Sequence, residues 1–450
     1  MALKIVIVGA GEVGYNLSKV LSKEDYDITV IDTNPEKCLK VKNAIDARVI
    51  EGNGTSQRIL QKIDTMADVD YFLSLTSLDE INLIASKTAK TMGANKTITR
   101  LRNTEFAHKD AILTPEDFLV DFVTYPEKAA MSEIESLIRS NSEIEVVEFE
   151  DNKITLFGIK IEESSPLIGR TINNVRLANP YIPHMVAVID RNDNTFVPHD
   201  DTVYTKNDVV YYACKTEDIP LIQKLSGKPA FNVNNVMILG AGKIGRMLAK
   251  SLEYDYNVKI IENDKFKANK YSANLDNSLM LIGDGLDPDL LESENINEID
   301  CFVAATENEK TNMMASMLVK DYGVKQIIVH ISTTKYIKPI RRMGIDAIVS
   351  KNISAVNEVV KFIQSDQQEI EISRFEDIDI DSIEITVLDQ CKYIQKNYKI
   401  DDLPQNICLG AIIRDGYIVI PRYDSKIEVN DKLLIFLKPD HISKIENLFQ

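Results

Sequence analysis

The sequence is poor in the residue types from which metal and thiol chemistry is built. Its 450 residues include only five cysteines and five histidines. The cysteines, at positions 38, 214, 301, 391 and 408, show neither the C-x-x-C spacing of a metal site nor the density of a disulfide framework. The histidines, at 108, 184, 199, 330 and 441, stand alone, and none forms an acid–base pair with a carboxylate motif. Positive charge is also short: 52 lysines and arginines stand against 69 aspartates and glutamates, a net charge of −17. Nucleic-acid binding through a basic face depends on neutralising phosphates and is disfavoured, as is adhesion to an anionic lipid surface. No apolar run approaches the roughly 18 residues of a membrane helix. The chain enters an apolar strand almost at once, which leaves no room for a signal peptide. The expectation is a cytosolic protein with no nucleic-acid partner and no membrane-inserted segment.

What the chain does contain is a repeat. Gly9-Ala10-Gly11-Glu12-Val13-Gly14 returns 231 positions later as Gly240-Ala241-Gly242-Lys243-Ile244-Gly245, each between an apolar run and an amphipathic stretch. A single GxGxxG is weak evidence, but other features repeat in register. Asp32 and Glu262 each end an apolar strand, Gly52-Asn53-Gly54 matches Gly283-Asp284-Gly285, Thr76 matches Thr306, and Asn82 matches Asn312. Five features within one residue of a common offset make the chain a tandem repeat.

Apolar strands are expected at 4–8, 27–31, 47–50, 71–75, 96–101 and 118–123, with helical spacing between them. That alternation predicts a parallel, doubly wound α/β sheet. A stretch from Glu127 to Arg139 puts Met131, Ile134, Leu137 and Ile138 on one helical face, which either covers its own sheet or packs on a neighbouring lobe. Short strands at Glu145-Val146-Val147, 154–156, 186–189 and 209–212 then point to a small α+β domain ending near the linker Ser226-Gly227-Lys228-Pro229. A second such domain follows the second glycine loop, with Asn207-Asp208 matching Asn430-Asp431 and Pro198 matching Pro421. The predicted order is large–small–large–small, over 1–125, 140–226, 233–355 and 368–450.

The glycine spacing has a mechanical meaning. The first glycine allows a tight turn after the strand, the second lets backbone approach a pyrophosphate, and the third lets helix and sheet pack closely. The phosphates of a nucleotide would then lie at a helix N-terminus. Asp32, 18 residues beyond Gly14, is placed to accept from the two adenosine ribose hydroxyls and to repel a 2′-phosphate, so NAD is favoured over NADP. ATP and ADP carry the same ribose and satisfy it equally. Thr76 follows the fourth strand, on the edge where open α/β sheets bind ligands, and Arg100 ends the fifth, within range of a phosphate. The second half departs at this point, with His330 in place of Arg100 and Glu262 in place of Asp32. A binding site without visible catalytic machinery is the result, and no enzyme activity is expected.

Laid out in full, the chain resembles the TrkA family of Trk potassium uptake systems, whose members carry two RCK (KTN) units. The resemblance rests on Ile7 to Gly14, Asp27 to Thr33, Leu75 to Asn82, Pro166-Leu167-Ile168-Gly169 and the second GAGKIG, and it spans essentially the whole chain. It implies two Rossmann-like N domains, each followed by a small α+β C domain. It also implies a homo-oligomeric, tetrameric ring, peripheral on the cytoplasmic face of the inner membrane, that gates an integral-membrane potassium-translocating subunit of the Trk type. The implied ligand is NAD(H), with ATP or ADP in related rings. Carried over by position, the contacts are Gly9, Ala10, Gly11, Glu12, Val13, Gly14, Asp32, Gly52, Leu75, Thr76 and Arg100, and in the second half Gly240, Ala241, Gly242, Lys243, Ile244 and Glu262. Two other readings share the fingerprint: an NAD-dependent oxidoreductase, which needs a proton-shuttling residue near Thr76, and a regulator of a potassium efflux or antiport system.

Overall fold

A computed structural model describes residues 2–23, 26–63, 65–108, 110–139, 146–150, 152–192, 194–228, 232–345, 347–366, 371–375, 380–396, 398, 400–404, 406–422, 425–438 and 441–449. The expected starts of the small domains at 140 and 368, Glu145 of an expected strand, and Pro229 of the linker lie outside the described residues.

The first large lobe contains β1 (Lys4–Val8), α1 (Glu12–Leu21), β2 (Asp27–Asp32), α2 (Pro35–Ala44), β3 (Arg48–Glu51), α3 (Gln57–Leu60), β4 (Tyr71–Ser74), α4 (Asp79–Thr91), β5 (Lys96–Arg100) and β6 (Phe122–Thr124), followed by α5 (Pro126–Arg139). Its strands run in the order β3-β2-β1-β4-β5-β6, all parallel. This is the doubly wound order, with its switch point between β1 and β4. β1 reads Lys-Ile-Val-Ile-Val and is buried on both faces, as a central parallel strand must be. The strand expected over 118–123 begins only at Phe122, because Pro115–Phe118 forms a 3-10 turn and Leu119 adopts a left-handed conformation (φ 58°) that ends it.

The first small lobe comprises β7 (Val146–Phe149), β8 (Ile154–Lys160), α6 (Ile172–Ala178), β9 (His184–Arg191), β10 (Asn194–Phe196), β11 (Val209–Lys215) and α7 (Ile219–Leu225). Its antiparallel sheet has the order β10-β9-β11-β8-β7.

The second large lobe repeats the first with β12 (Asn235–Leu239), α8 (Lys243–Leu252), β13 (Asn257–Glu262), α9 (Lys265–Ser272), β14 (Leu279–Ile282), α10 (Pro288–Ser293), β15 (Cys301–Ala304), α11 (Glu309–Asp321), β16 (Gln326–Ile331), α12 (Ile337–Arg342) and β17 (Ala347–Ser350), followed by α13 (Lys351–Asp366). The sheet order, β14-β13-β12-β15-β16-β17, is the same. The second small lobe has β18 (Glu371–Phe375), β19 (Ile380–Thr386), α14 (Lys392–Gln395), β20 (Ile407–Arg414), β21 (Tyr417–Val419), β22 (Lys432–Leu437) and α15 (Ile442–Phe449), again antiparallel.

The matched Asn-Asp pairs of the small lobes have a common structural use. Asn207 (φ 67°) and Asn430 (φ 69°) take left-handed turns that asparagine tolerates. Each following aspartate is buried and receives a two-pronged arginine: Arg191 on Asp208 and Arg414 on Asp431, with distances of 2.7–2.8 Å. The two small sheets share one apolar layer, in which Leu156, Val188 and Tyr211 meet Ala411, Leu434 and Phe436.

The helix ending each large lobe belongs, in packing, to the other lobe. The apolar face of α5 (Ala130, Ile134, Leu137 and Ile138) is buried against Val236, Ile244 and Leu248 of the second lobe. In exchange, Ala355, Val356, Val359 and Ile363 of α13 join Ile5, Val13 and Leu17 of the first lobe. Polar contacts follow the same exchange: Gln326 Nε2 donates to Leu137 O (2.9 Å), Tyr71 Oη to Asp366 Oδ2 (2.9 Å) and Thr124 Oγ1 to Glu358 Oε2 (2.6 Å). Of the two packing modes open to Glu127–Arg139, the structure shows the neighbouring lobe. Ile134→Ala, at a fully buried position, should cost about 2–5 kcal/mol. Hydrogen exchange should then show the greater loss of protection in β12 and β15 of the second lobe, although Ile134 follows the first lobe in sequence.

Candidate nucleotide sites

In the first lobe the glycine loop lies at the carboxyl edge of β1. Gly9 has φ +104°, and a side chain there would press on the Thr76 backbone N at 3.0 Å. At Gly14 an added Cβ would sit 1.8 Å from Gly9 O, so this glycine lets α1 close onto the loop. Gly11 differs. Its backbone is extended (φ −70°, ψ −171°), and a Cβ there would meet nothing within 4 Å. Neither conformation nor packing requires glycine at that position, and its presence costs α1 a capping side chain. The first intrahelical bond is Tyr15 N–H to Gly11 O (2.8 Å), so the N–H groups ahead of it form the open first turn of a helix.

Asp32 closes the loop from the β2 side. Its Oδ2 accepts from Ala10 N–H at 2.6 Å and its Oδ1 from Asn34 N–H at 2.8 Å, which orients a half-buried carboxylate that keeps lone pairs for further donors. Gly52 N–H donates to Asp32 O (2.9 Å), fastening the next loop to the same strand end. Val13 and Leu75, both named from sequence, send their side chains into the core; only their backbone faces the loop. Glu12 is exposed.

Thr76 is fixed by a residue that the candidate set did not include. Asn82, fully buried on α4, accepts from Thr76 N–H (2.9 Å) and Thr76 Oγ1 (2.7 Å) and donates from Nδ2 to Thr76 O (3.0 Å) and Arg100 O (2.8 Å). One amide thus locks the ends of β4 and β5 together. Its repetition as Asn312 was the available signal. Arg100 lies half-buried beside this clamp, with Nη1 3.3 Å from Thr76 O. Its Nε has no hydrogen-bond partner among the described residues. Burial pulls its pKa down and Glu127 partly opposes this; the guanidinium stays charged.

The second lobe reproduces the frame. Gly240 has φ +104°, a Cβ on Gly245 would sit 2.0 Å from Gly240 O, and Gly242 is extended with only Ala305 O nearby at 3.9 Å. The longer Glu262 reaches the same N–H groups as Asp32 does, accepting from Ala241 (2.9 Å) and Asp264 (3.0 Å). The Glu-for-Asp exchange therefore leaves the carboxylate in place. Ile244, like Val13, turns its side chain into the core. Asn312 clamps Thr306 and β16 as Asn82 clamps Thr76 and β5.

The sites differ in charge, and the two lobes touch beside them. Lys243, from the second loop, donates through Nζ to Arg102 O of the first lobe. Lys351 Nζ stands 3.7 Å from Glu127 Oε1 at the starts of the two exchanged helices. The His330 ring is 4 % exposed, and neither nitrogen has a partner among the described residues. Burial, reinforced by Lys351, lowers its pKa to about 4. The unfolded chain, at about 6.5, takes the proton first, so stability falls as pH drops from about 6.5 towards 4. His330→Phe should remove about 2 kcal/mol of the stability difference between pH 7 and pH 5, measured by urea unfolding at the two values.

Comparison with known proteins follows the repeat. The TrkA-N domain model matches residues 5–113 and 236–351, and the TrkA-C domain model matches 156–227 and 383–450. A Trk system potassium uptake protein TrkA homolog of Archaeoglobus fulgidus is 31% identical, with 100% of both chains covered. The Trk system potassium uptake protein TrkA of Vibrio alginolyticus is 30% identical over 100% of this chain and 99% of its own. Among solved structures, the GsuK RCK domain superposes with a TM-score of 0.59 at 13% identity, covering 100% of this chain and 95% of that one, and so shares the fold. In sequence and in domain order, the chain belongs to the TrkA family of Trk system potassium uptake proteins, with TrkA-N and TrkA-C domains in tandem.

Proposed function

We propose that the chain is a nucleotide-sensing regulatory subunit of a potassium uptake system. In this reading it is cytoplasmic and assembles as a homo-oligomeric ring against an integral-membrane potassium-translocating subunit. Family membership supports the potassium uptake role, since the full-length relatives carry that name. For the ligand, the observation that carries the reading is the middle glycine of each loop, where an added Cβ would meet nothing within 4 Å at Gly11 and only Ala305 O, at 3.9 Å, at Gly242. The fold gains nothing from glycine there, whereas a pyrophosphate lying against the backbone needs it. GsuK, which shares the fold, has been solved as a channel bound to NAD and bound to ADP.

The division of labour is as follows. The open N–H groups at the start of α1 and the helix dipole favour phosphate. Asp32 offers its remaining lone pairs to ribose hydroxyls and disfavours a 2′-phosphate, so NAD(H), ATP and ADP are accepted and NADP(H) is not. Arg100 supplies a charge-assisted donor, and Asn82 holds Thr76 and Arg100 in register. No covalent step is assigned to these residues. The division into 1–125, 140–226, 233–355 and 368–450 is part of the same proposal, with α5 and α13 acting as connectors that each dock on the other large lobe. A change in spacing between loop and clamp is then felt across both lobes, and it shifts the conformational equilibrium by the ligand's differential affinity for the two states.

Titration calorimetry of the full chain should show binding of NADH and of ATP or ADP, with NADPH much weaker. Asp32→Ala should weaken first-site binding by about tenfold or more, the scale of hydrogen bonds to a charged group. Cells carrying Asp32→Ala at normal protein levels should show altered potassium uptake. Unchanged uptake together with unchanged binding would count against the reading.

A further inference from the structure

The two loops are alike in backbone but unlike in the charge around them. At the first, Arg100 presents a guanidinium whose Nε is without a partner among the described residues, and Lys243 extends from the second loop to the Arg102 carbonyl. Among the acids acting on Arg100, Glu127 acts most strongly, and Lys351 approaches it at 3.7 Å. At the second, the position matching Arg100 holds His330, and the position matching Lys243 is Glu12 on the first loop. Arg100 shares its strand face with Ile98, which packs with α1 residues. His330 shares the corresponding face with Ile328, which packs with α8 residues. The ring therefore lies on the α8 side, at the carboxyl end of β16, on the edge where the glycine loop opens. Both ring nitrogens are buried and unpartnered among the described residues.

These two side chains ask for different partners. A guanidinium is all donors and carries a permanent charge, which suits a phosphate oxyanion. A buried, uncharged imidazole has one donor and one acceptor. A hydroxyl or a carboxamide satisfies both, and a phosphate, which only accepts, leaves one nitrogen unpaired. A polyphosphate at the second site meets no guanidinium in the Arg100 position: of the cations at that loop, Lys243 is turned to the Arg102 carbonyl of the first lobe and Arg246 is held by its Nε on Gly242 O at 3.2 Å.

We propose that the two sites are specialised for different adenine nucleotides: the first, with Arg100, takes ATP or ADP, and the second, with His330, takes the less charged dinucleotide NAD(H), whose neutral ribose and carboxamide groups meet the imidazole. This rests on the nucleotide-binding reading given above. Asp32 at the first site and Glu262 at the second, held by equivalent N–H groups, offer the same ribose acceptor, so the choice is made at the far end of the ligand.

Gly11→Val and Gly242→Val test the assignment, because a Cβ at either position meets no atom closer than 3.9 Å. In calorimetry on the full chain, Gly11→Val should abolish ATP and ADP binding and keep NADH binding, and Gly242→Val should do the reverse. On the wild type, saturating ATP should leave NADH titration intact. Arg100→His should weaken ATP by about ten- to a hundredfold, the range of a charge-assisted hydrogen bond, and change NADH by less than about threefold on the same scale. His330→Arg should add a second ATP site in the Gly11→Val background. Unfolding midpoints of the ligand-free variants identify any that fail to fold, and Asp32→Ala and Glu262→Ala then replace them. The specialisation is overturned if ATP and NADH compete for one set of sites, or if one glycine substitution removes both. If no adenine nucleotide binds the wild type at all, the sensor reading itself falls.

Discussion

The exchange of α5 and α13 between the large lobes is the constraint on which the rest of the structure depends. Each helix buries its apolar face on a sheet to which it is not joined directly, so neither large lobe completes its core from its own segment. Phe362 of α13 stacks on Phe122 of β6, with ring centroids 4.3 Å apart, and Arg139 at the end of α5 pairs with Asp255 of the other lobe at 2.9 Å. The ion pair is exposed and contributes little; the buried aliphatic faces hold the lobes, at about 25 cal/mol for each Å² of apolar surface covered. Two bodies joined in this way share one geometry, and a displacement of either sheet edge is transmitted through packed side chains.

That geometry sets the two candidate nucleotide sites beside the joint. The exchanged helices start at Pro126 and Lys351, directly after the strands next to Arg100 and His330. Glu127 and Lys351 stand between those two residues: Glu127 acts on Arg100, Lys351 on His330, and the two face each other. In the proposed reading, a phosphate drawing Arg100 towards the loop would relieve Glu127 of one cation and leave it to Lys351. That coupling would be electrostatic, short-ranged and partly buried, the setting in which screening by salt is weakest. Reciprocity would then require that occupancy of the second site act back on the first.

Much of this was legible in the sequence. The strands, the doubly wound lobes and the two loops follow from apolar runs, glycine spacing and the repeat offset, because backbone sterics and burial impose those patterns locally. The carboxylates of Asp32 and Glu262 were legible for the same reason. The helix exchange was not: the apolar face of Glu127–Arg139 shows that something is covered but not which sheet covers it, since periodicity is blind to the identity of the partner surface. Lys243 reaching Arg102 is invisible for a similar reason, being a contact across 141 positions made by an exposed side chain. Val13, Leu75 and Ile244 were named by position, but their side chains are core residues, because a fingerprint records where backbone lies and not which side chains touch a ligand. The strand expected from 118 failed at Leu119, whose apolar side chain fits a strand while its backbone, following Pro115, turns left-handed.

The internal comparison separates what holds a site from what faces a ligand. Asn82 and Asn312 make the same four contacts in the two lobes, and Gly14 and Gly245 leave the same gap for a carbonyl. Any change at those positions leaves a buried backbone group unpaired or drives a side chain into the loop, and such costs are the same whatever is bound. Arg100 and His330 have no such obligation. The carbonyl of each is used by the clamp while its side chain keeps a buried nitrogen unpartnered among the described residues. In a repeat built twice on one frame, the positions that differ in charge while their backbones coincide are those released from the fold. Arg100 and His330 are such a pair, and so are Glu12 and Lys243 at the loops. All four are grouped at the loop edges of the two large lobes, where the frame itself leaves room.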